Sequence, residues 1–552
     1  GEGVGLAPRV AIPALACVVL GIAAFYVLGL RNSALEQVAP QYSPEVLAQK
    51  ARDIIQRAGV RDAPADAAYE YYWNTSYLNY AQANEKPAPR WSEILKGRPM
   101  PLQFWYRESP YPLTGGTFHD DLLTPGITQP DDPPPILSGM ISLKLDAEGH
   151  LLYFERIPDQ RLEPDTEQHP AVDWNPLFGS AGLDPKLFQH AEPAWTWLAT
   201  SDTRAAWTGV WPGTQRSLRV EGAALRGQLV AFSLIGPWTP RDRMPRRTAS
   251  GAQRGQVIIL SAITIGVGVA CWLLMRKNKK KGGGDDAGAM RLASWVGLSQ
   301  MGLWFFRSHL TASIGTFGMF LIAIATAVFY AFVARTLYLA LEPHVRRRWP
   351  QTMMSWSAVL MGHFREPIVG RDILAGATLC VVVRIVSQLV TLMLPITDPP
   401  NTGSSSVLLG LRSTIAVFFT SVPHGIRDTL LFFFVLFILR VLLRNQWLAS
   451  AGFALIFGVQ NGLQSNHPVI DGIAGCVVFG LVAALVLRFG LLALAVFIFA
   501  DYVLGSIQAT TNTSAWYFGN DLLLLAGVLT LAAWGFHTSL GGRRIWKADL
   551  LD

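Results

Sequence analysis

After residue 255 the chain is a succession of apolar runs: 257–275, 292–306, 317–341, 373–394, 430–443, 448–463, 470–487, 489–504 and 522–536. A further run, 10–30, lies near the start. This pattern constrains the fold more than any other feature. In hydrocarbon each backbone N–H and C=O must be satisfied within the protein, so a spanning segment is a helix or part of a closed barrel. About 20 apolar residues cross a core of about 30 Å as a helix. The expectation is therefore a polytopic α-helical membrane protein of about ten spanning helices, although runs of 14–16 residues also suit re-entrant or interfacial segments. Composition agrees: 51% of residues are hydrophobic and 15% charged, against about 25% charged in soluble domains. A disordered chain is excluded, and the composition argues against an ordinary soluble enzyme.

The basic clusters fix an orientation. They fall at 276–281, 346–348, 440–444 and 543–547, and if every run crosses once, all four lie on one side. Lys and Arg accumulate on the cytoplasmic side, so residues 32–255, 396–406 and 506–520 are expected outside, in a bacterial inner membrane with both termini cytoplasmic. The net charge of +7 then marks topology and contacts with the lipid bilayer, not nucleic-acid binding. Run 10–30 is too long for a signal-peptide core and has no small-residue cleavage site after it. The expected organisation is a transmembrane helix in 1–31, an extracytoplasmic α+β domain at 32–255, a transmembrane helix at 256–276, a Gly-rich cytoplasmic linker at 277–290, a multi-helix membrane domain at 291–542 and a cytoplasmic tail at 543–552. Because the sequence opens on Gly1, more chain is expected upstream.

The outward segment carries mixed signals. Ser43-Pro44-Glu45 starts a helix, with Leu47, Ala51, Ile54, Ile55 and Ala58 as its apolar stripe and Gly59 as its stop. Strands are expected at 104–107, 141–145, 151–157, 206–211, 218–220 and 229–235. Helix, aromatic strand and hairpin recur in that order, which suggests an internal duplication. The four cysteines, Cys17, Cys271, Cys380 and Cys476, all fall in apolar runs, so neither a disulfide framework nor a Cys-based zinc site is expected in 32–255. His119-Asp120-Asp121 offers the residue types of a metal or acid site, but a lone HDD in a loop reads first as a solvated turn. No catalytic set, metal site or cofactor site is expected.

Charge inside membrane segments is costly and is a functional candidate by default. The candidates are Arg384, Arg427, Asp428, Asp471 and Asp501. Arg384 is expected to pair with Asp428, Asp471 or Asp501, while Arg427, Asp428 and Asp471 suit helix ends at the interface. Residues 426–461 and 471–503 resemble the core of the CPBP family, intramembrane proteases related to CAAX prenyl endopeptidases; the similar region is about 424–505. The resemblance implies a helix opening on paired glutamates and an arginine, a helix ending Phe-x-x-x-His, and a last helix with His and Asn. Here those positions hold Arg427, Asp428 and Phe432, then Phe457 and Asn461, then Phe499 and Val503. The general base and polarising histidine that a glutamate-activated water needs are replaced. The resemblance thus implies a protease fold without its chemistry, with Asp428, Asn461 and Phe499 facing one cavity. His467-Pro-Val-Ile-Asp471 also reads HxxxD, at the outer end of a helix.

A second resemblance covers more of the chain. Phe104-Trp-Tyr-Arg107 with Ser109-Pro110, Gly236-Pro-Trp238, the 341–350 segment LEPHVRRRWP, 369–372 (VGRD) and 535–539 (GFHTS) resemble the C-terminal region of bacterial receptor-type serine/threonine protein kinases. That implies a non-catalytic sensory and regulatory region serving a cytoplasmic kinase domain, in cis or on a partner, and an extracytoplasmic ligand or protein. No kinase motif lies in the chain itself. A CPBP-like intramembrane peptidase is the alternative, and a transporter or accessory subunit a further one. Finally, Trp349, Met353, Met354, Trp356, Val359 and Leu360, with His363, Arg365 and the preceding arginines, predict an amphipathic interfacial helix over 349–364.

Overall fold

The computed structural model describes residues 5–85, 91–164, 171–243, 251–280, 284–393 and 398–543. A first long helix, α1 (Pro8–Asn32), leads into the sheet domain, built from α2 (Ala34–Val38), α3 (Pro44–Arg57), β1 (Asp66–Trp73), α4 (Thr75–Asn84), α5 (Trp91–Lys96), β2 (Leu102–Ser109), β3 (Ile141–Asp146), β4 (Leu151–Arg156), α6 (Asn175–Ser180), β5 (Gln189–Ala191), β6 (Thr203–Val210), β7 (Ser217–Leu225) and β8 (Gln228–Ile235). All eight strands form one antiparallel sheet in the order β1-β2-β3-β4-β8-β7-β6-β5. Each half is thus a four-stranded meander, and the halves join through their last strands, where Phe154 faces Phe232.

The helical stripe packs as its spacing predicts: Leu47, Ala51, Ile54 and Ile55 of α3 are buried against Phe104, Phe154 and Phe232. Ser43 makes no side-chain cap bond, while Gly59 (φ 98°) takes the left-handed geometry that ends the helix. β2 is buried along its whole length. One of its faces lies under the helices, and the other under the β2–β3 connection, where Leu113 and Met140 meet Trp105. Arg107 organises that connection. Its guanidinium donates to Gln129 O and Pro133 O at 2.7 Å each, and loss of water around it lowers its pKa to about 10.

The rest of the chain is helical: α7 (Gly251–Lys280), α8 (Asp286–Arg307), α9 (Ile314–Arg348), α10 (Met354–Leu360), α11 (Pro367–Met393), α12 (Leu411–Leu443), α13 (Gln446–Leu463), α14 (Pro468–Phe489), α15 (Leu491–Gly505) and α16 (Phe518–Ser539). With α1, the long helices run back and forth between two ends. At the sheet end, Asn32 O meets Asn401 N at 2.8 Å and His309 N meets Gly126 O at 2.9 Å. At the other end Leu6 N meets Ser539 O at 2.9 Å, and the basic residues gather, with Arg440 over the Trp349 ring at 3.8 Å and Lys279 paired with Asp286 at 3.0 Å.

The chain is therefore a helical membrane protein with an attached sheet domain. Among the described residues, five helices are long and apolar enough to cross a membrane, namely α1, α9, α11, α14 and α16, fewer than the ten expected from the runs. α15 has 15 residues and α13 only 18, and α12 carries Arg427 and Asp428 within its length. The predicted interfacial helix is also shorter than 349–364: a 3-10 turn at Pro350–Thr352 precedes the seven residues of α10. Trp349, Met353, Trp356 and Leu360 are buried in the bundle core, and Met354 and Met361 are more than half exposed.

Small residues let α13 and α14 touch. A Cβ on Gly462 would lie 2.4 Å from Pro468 O and 3.0 Å from Gly472 Cα, the close approach that glycine permits between membrane helices. Gly462→Leu is expected to destabilise the protein by about 1–3 kcal/mol, the usual overpacking range, read as a lower melting temperature of the full chain in detergent. Gly519, with nothing within 4 Å, supplies the control; a Gly462→Leu loss no larger than that of Gly519→Leu would contradict the close contact.

Candidate functional site

The β2–β3 connection reaches into the bundle, and the His119-Asp120-Asp121 turn is its tip. Asp132 accepts from the amides of Gly116 and Thr117 at 2.9 Å and contacts His119 Nε2 at 3.2 Å, which stiffens the turn. Asp120 takes φ 60° and accepts from Leu122 N at 2.9 Å. From this turn, side chains and carbonyls engage three helices. Asp120 pairs with Arg307 at the end of α8. Gln300 of α8 donates to Leu122 O at 2.7 Å, and Ser308 donates to Pro125 O at 2.7 Å. Tyr330 of α9 donates to Asp121 O at 2.8 Å. Asp121 meets Arg427 of α12 at 2.8 Å. The turn is thus docked on the bundle through Leu122 and its polar contacts, while Asp120 and Asp121 keep exposed faces.

Arg427 belongs to a compact polar cluster. Its Nε lies 2.7 Å from Asp428 Oδ1, and its Nη2 lies 2.8 Å from His424 Nδ1. His424 sits 3.5 Å from both Asp121 and Asp428. It stacks on Tyr502 of α15, with centroids 4.1 Å apart and planes at 15°. Positions 424, 427 and 428 are i, i+3 and i+4, so one face of α12 presents all three. The next residue of α15 on the N-terminal side, Asp501, pairs with Arg384 of α11: Nε to Oδ1 is 2.6 Å, and Nη2 donates to the Asp501 carbonyl at 2.5 Å. Of the three carboxylates weighed for Arg384, the structure selects Asp501.

These groups share one level. Position 427 is thirteen residues from Arg440 along α12 and 384 is thirteen from Arg371 along α11, whereas 501 is ten residues beyond the start of α15 at Leu491. At 1.5 Å per residue the first two lie about 20 Å, and Asp501 about 15 Å, from the basic end. Arg427 and Asp428 therefore stand within the length of the bundle rather than at either end of α12.

The remaining candidates lie near the sheet end. Asn461 Nδ2 donates to Asp471 O at 2.9 Å, and Ser465 hydroxyl binds the Asp471 carboxylate. His467 Nε2 lies 2.5 Å from Asp398 Oδ2, and Asp398 accepts from Gln82 of α4 at 2.9 Å. His467 therefore ties a bundle loop to the sheet domain, and it is not joined to Asp471 as an HxxxD pair. An apolar groove of about 740 Å3 runs between α12, α15 and α16; Phe499 and Gly425 line it, whereas Asp428 and Asn461 do not. The expected single cavity of Asp428, Asn461 and Phe499 is absent among the described residues.

A second cavity, of about 520 Å3, lies between the sheet domain and the bundle. Its walls come from β1, β2, the β2–β3 connection, the end of α8, residues 404–409, the start of α12 and the end of α15. His309 holds Asp66 at 2.8 Å. Burial alone raises the Asp66 pKa, but His309 and the amides of Leu113 and Ala67 outweigh it and hold the carboxyl below its usual range. Glu70 faces the same space. Its desolvation dominates the pull of Arg307, and its pKa rises to about 7. Residues Glu70, His424 and Tyr502 were not among the candidates read from sequence, and Asp121 was noted only within the HDD turn. The His-x-x-Arg-Asp spacing was a usable signal for His424; the others depend on contacts between distant segments. No group of three or more His, Cys, Asp or Glu suited to a metal ion occurs among the described residues. Comparison with protein families, with curated proteins and with solved structures finds no match to this chain.

Proposed function

We propose that this chain is the sensory and regulatory region of a bacterial membrane receptor, with the sheet domain extracytoplasmic, the basic end and both termini cytoplasmic, and the ten long helices crossing the inner membrane. The gathering of Lys and Arg at the end opposite the sheet supports the orientation. The effector that the family resemblance suggests is a cytoplasmic serine/threonine kinase domain, in cis or on a partner. One observation carries the reading: Asp121, from the sheet domain, pairs with Arg427 about 20 Å above the basic end. A sheet domain fixed this deeply cannot shift without breaking bonds to α8, α9 and α12, and a ligand that favours one docked arrangement biases the helices.

Hydrogen exchange on the full chain tests this coupling. Asp120→Asn with Asp121→Asn is expected to loosen the turn and to raise exchange at 284–290 and 349–366, the segments at the basic end. Faster exchange in 113–135 with no change at those segments would reject it.

A further inference from the structure

Resting on that reading, the cavity between sheet and bundle is where a signal would act, and its charges say what kind. Two of its cations are already neutralised: Arg307 by Asp120 and His309 by Asp66. Two charged residues are left over. Arg412 has no acidic partner among the described residues; its Nη2 donates to the carbonyls of Phe305 and Ser308 at 2.7 Å each, which fixes the guanidinium while leaving its other N–H groups available. Glu70 has neither an ion pair nor a hydrogen bond through its carboxyl among the described residues, although the cavity encloses it. No ion pair joins Glu70 to Arg412.

The Arg412 side of the cavity is suited to an anion in a second way. Arg412 is the second residue of α12, whose cap, Gly410 (φ 97°), supplies no side-chain acceptor. The first amides of this 33-residue helix therefore lack intrahelical partners and carry the positive end of its dipole. Ser404, Ser406 and Ser413 add hydroxyls to the wall beside it. Glu70 comes from the other body, the sheet, and offers a carboxylate. Glu70 from the sheet and the exposed Arg412 from the bundle both line the cavity, one acid and one base without an ion-pair partner among the described residues. A solute bearing both charges satisfies both.

We infer that this cavity binds a small zwitterion of the amino-acid or dipeptide class, its carboxylate against Arg412 and the start of α12 and its ammonium against Glu70. The volume of about 520 Å3 is within the range of small-molecule sites. Such a ligand bridges sheet and bundle, so binding reports directly on their docking.

Calorimetry on the full chain in nanodiscs tests this, with alanyl-alanine and the free amino acids as probes, acetate as the anion alone and methylammonium as the cation alone. At least one zwitterion is expected to bind at least tenfold more tightly than either single-charge probe. Glu70→Gln, nearly isosteric, removes that advantage and leaves acetate binding unchanged, and Arg412→Gln abolishes both. Zwitterion affinity falls as pH drops from 8 to 6, because a protonated Glu70 no longer attracts ammonium. Acetate binding as tightly as every zwitterion, no binding by any probe, or affinity indifferent to Glu70→Gln each overturns the assignment. Should Arg412→Gln fail to fold, Glu70→Gln and the single-charge probes still decide. The exchange experiment on Asp120 and Asp121 uses no ligand, so coupling can stand while the ligand class falls.

Discussion

Arg427→Leu is expected to destabilise the protein by about 3 kcal/mol, the lower part of the range for removing one partner from a buried ion pair. The reason lies in the company Arg427 keeps. It is the cation between Asp428 at 2.7 Å and Asp121 at 2.8 Å, with His424 3.5 Å from each carboxylate. The Arg427, Asp428 and His424 side chains are 22%, 18% and 4% exposed, whereas Asp121 is 60% exposed. The Asp121 edge is open, which sets the loss at the lower end. Without the guanidinium two carboxylates share the level with only His424 between them. Arg427→Lys keeps the charge but not the fork that reaches both acids, so a smaller loss is expected. The triple change Asp121→Asn, Arg427→Gln, Asp428→Asn carries no ionic charge at these positions and is expected to melt above Arg427→Leu. Melting temperatures in detergent check this, and a triple variant whose loss is the sum of three separate losses would mean that the groups do not act as a network.

This cluster shows what a sequence can and cannot disclose. The long helices were legible because apolar runs must be helices in a bilayer, and Arg384 and Asp501 stood out because each interrupts such a run. The partner of Arg427 was not legible: Asp121 lies 306 positions away, in a turn whose residues are those of any exposed loop. Nothing local distinguishes a docked turn from a solvated one; the difference is made by Gln300, Arg307 and Tyr330 receiving it. β1 escaped notice for a related reason. DAAYEYYW does not alternate apolar and polar residues, since tyrosine serves as both; Tyr71 is fully buried while Tyr69 and Tyr72 are only partly so. The cavity was the least accessible, because seven segments contribute to its walls and none carries a motif. The expectation of a degenerate protease cavity placed Asp428, Asn461 and Phe499 together from spacing alone. In the structure Asp428 turns to Arg427, Asn461 to the Asp471 carbonyl, and Phe499 to the groove.

Asp501→Leu is expected to cost about 1–3 kcal/mol, below the range for a fully buried pair because the Arg384 and Asp501 side chains are 26% and 35% exposed, and to cost more than the double variant Arg384→Leu, Asp501→Leu. Arg384 holds Asp501 by both its carboxylate and its carbonyl, and Gly505 leaves room for the guanidinium, since a Cβ there would lie 2.7 Å from Nη2. Losing the carboxylate strands a cation that keeps one carbonyl; losing both partners strands nothing, and replacing an ion pair by apolar residues is often neutral or stabilising. The double-mutant cycle, read as melting temperatures in detergent, is therefore expected to be strongly non-additive, and additivity within about 0.5 kcal/mol would refute the pairing. A second readout separates a local bond from a coupled layer. Asp501 and Tyr502 are neighbours on α15, one facing Arg384 and the other stacked on His424. Any rotation of α15 that follows the loss of Asp501 must move Tyr502 off the imidazole. Asp501→Asn, which keeps the shape and removes the charge, is therefore expected to raise hydrogen exchange in the 119–125 turn, although that turn touches neither Arg384 nor Asp501. Exchange unchanged in that turn would confine the pair to holding α11 against α15.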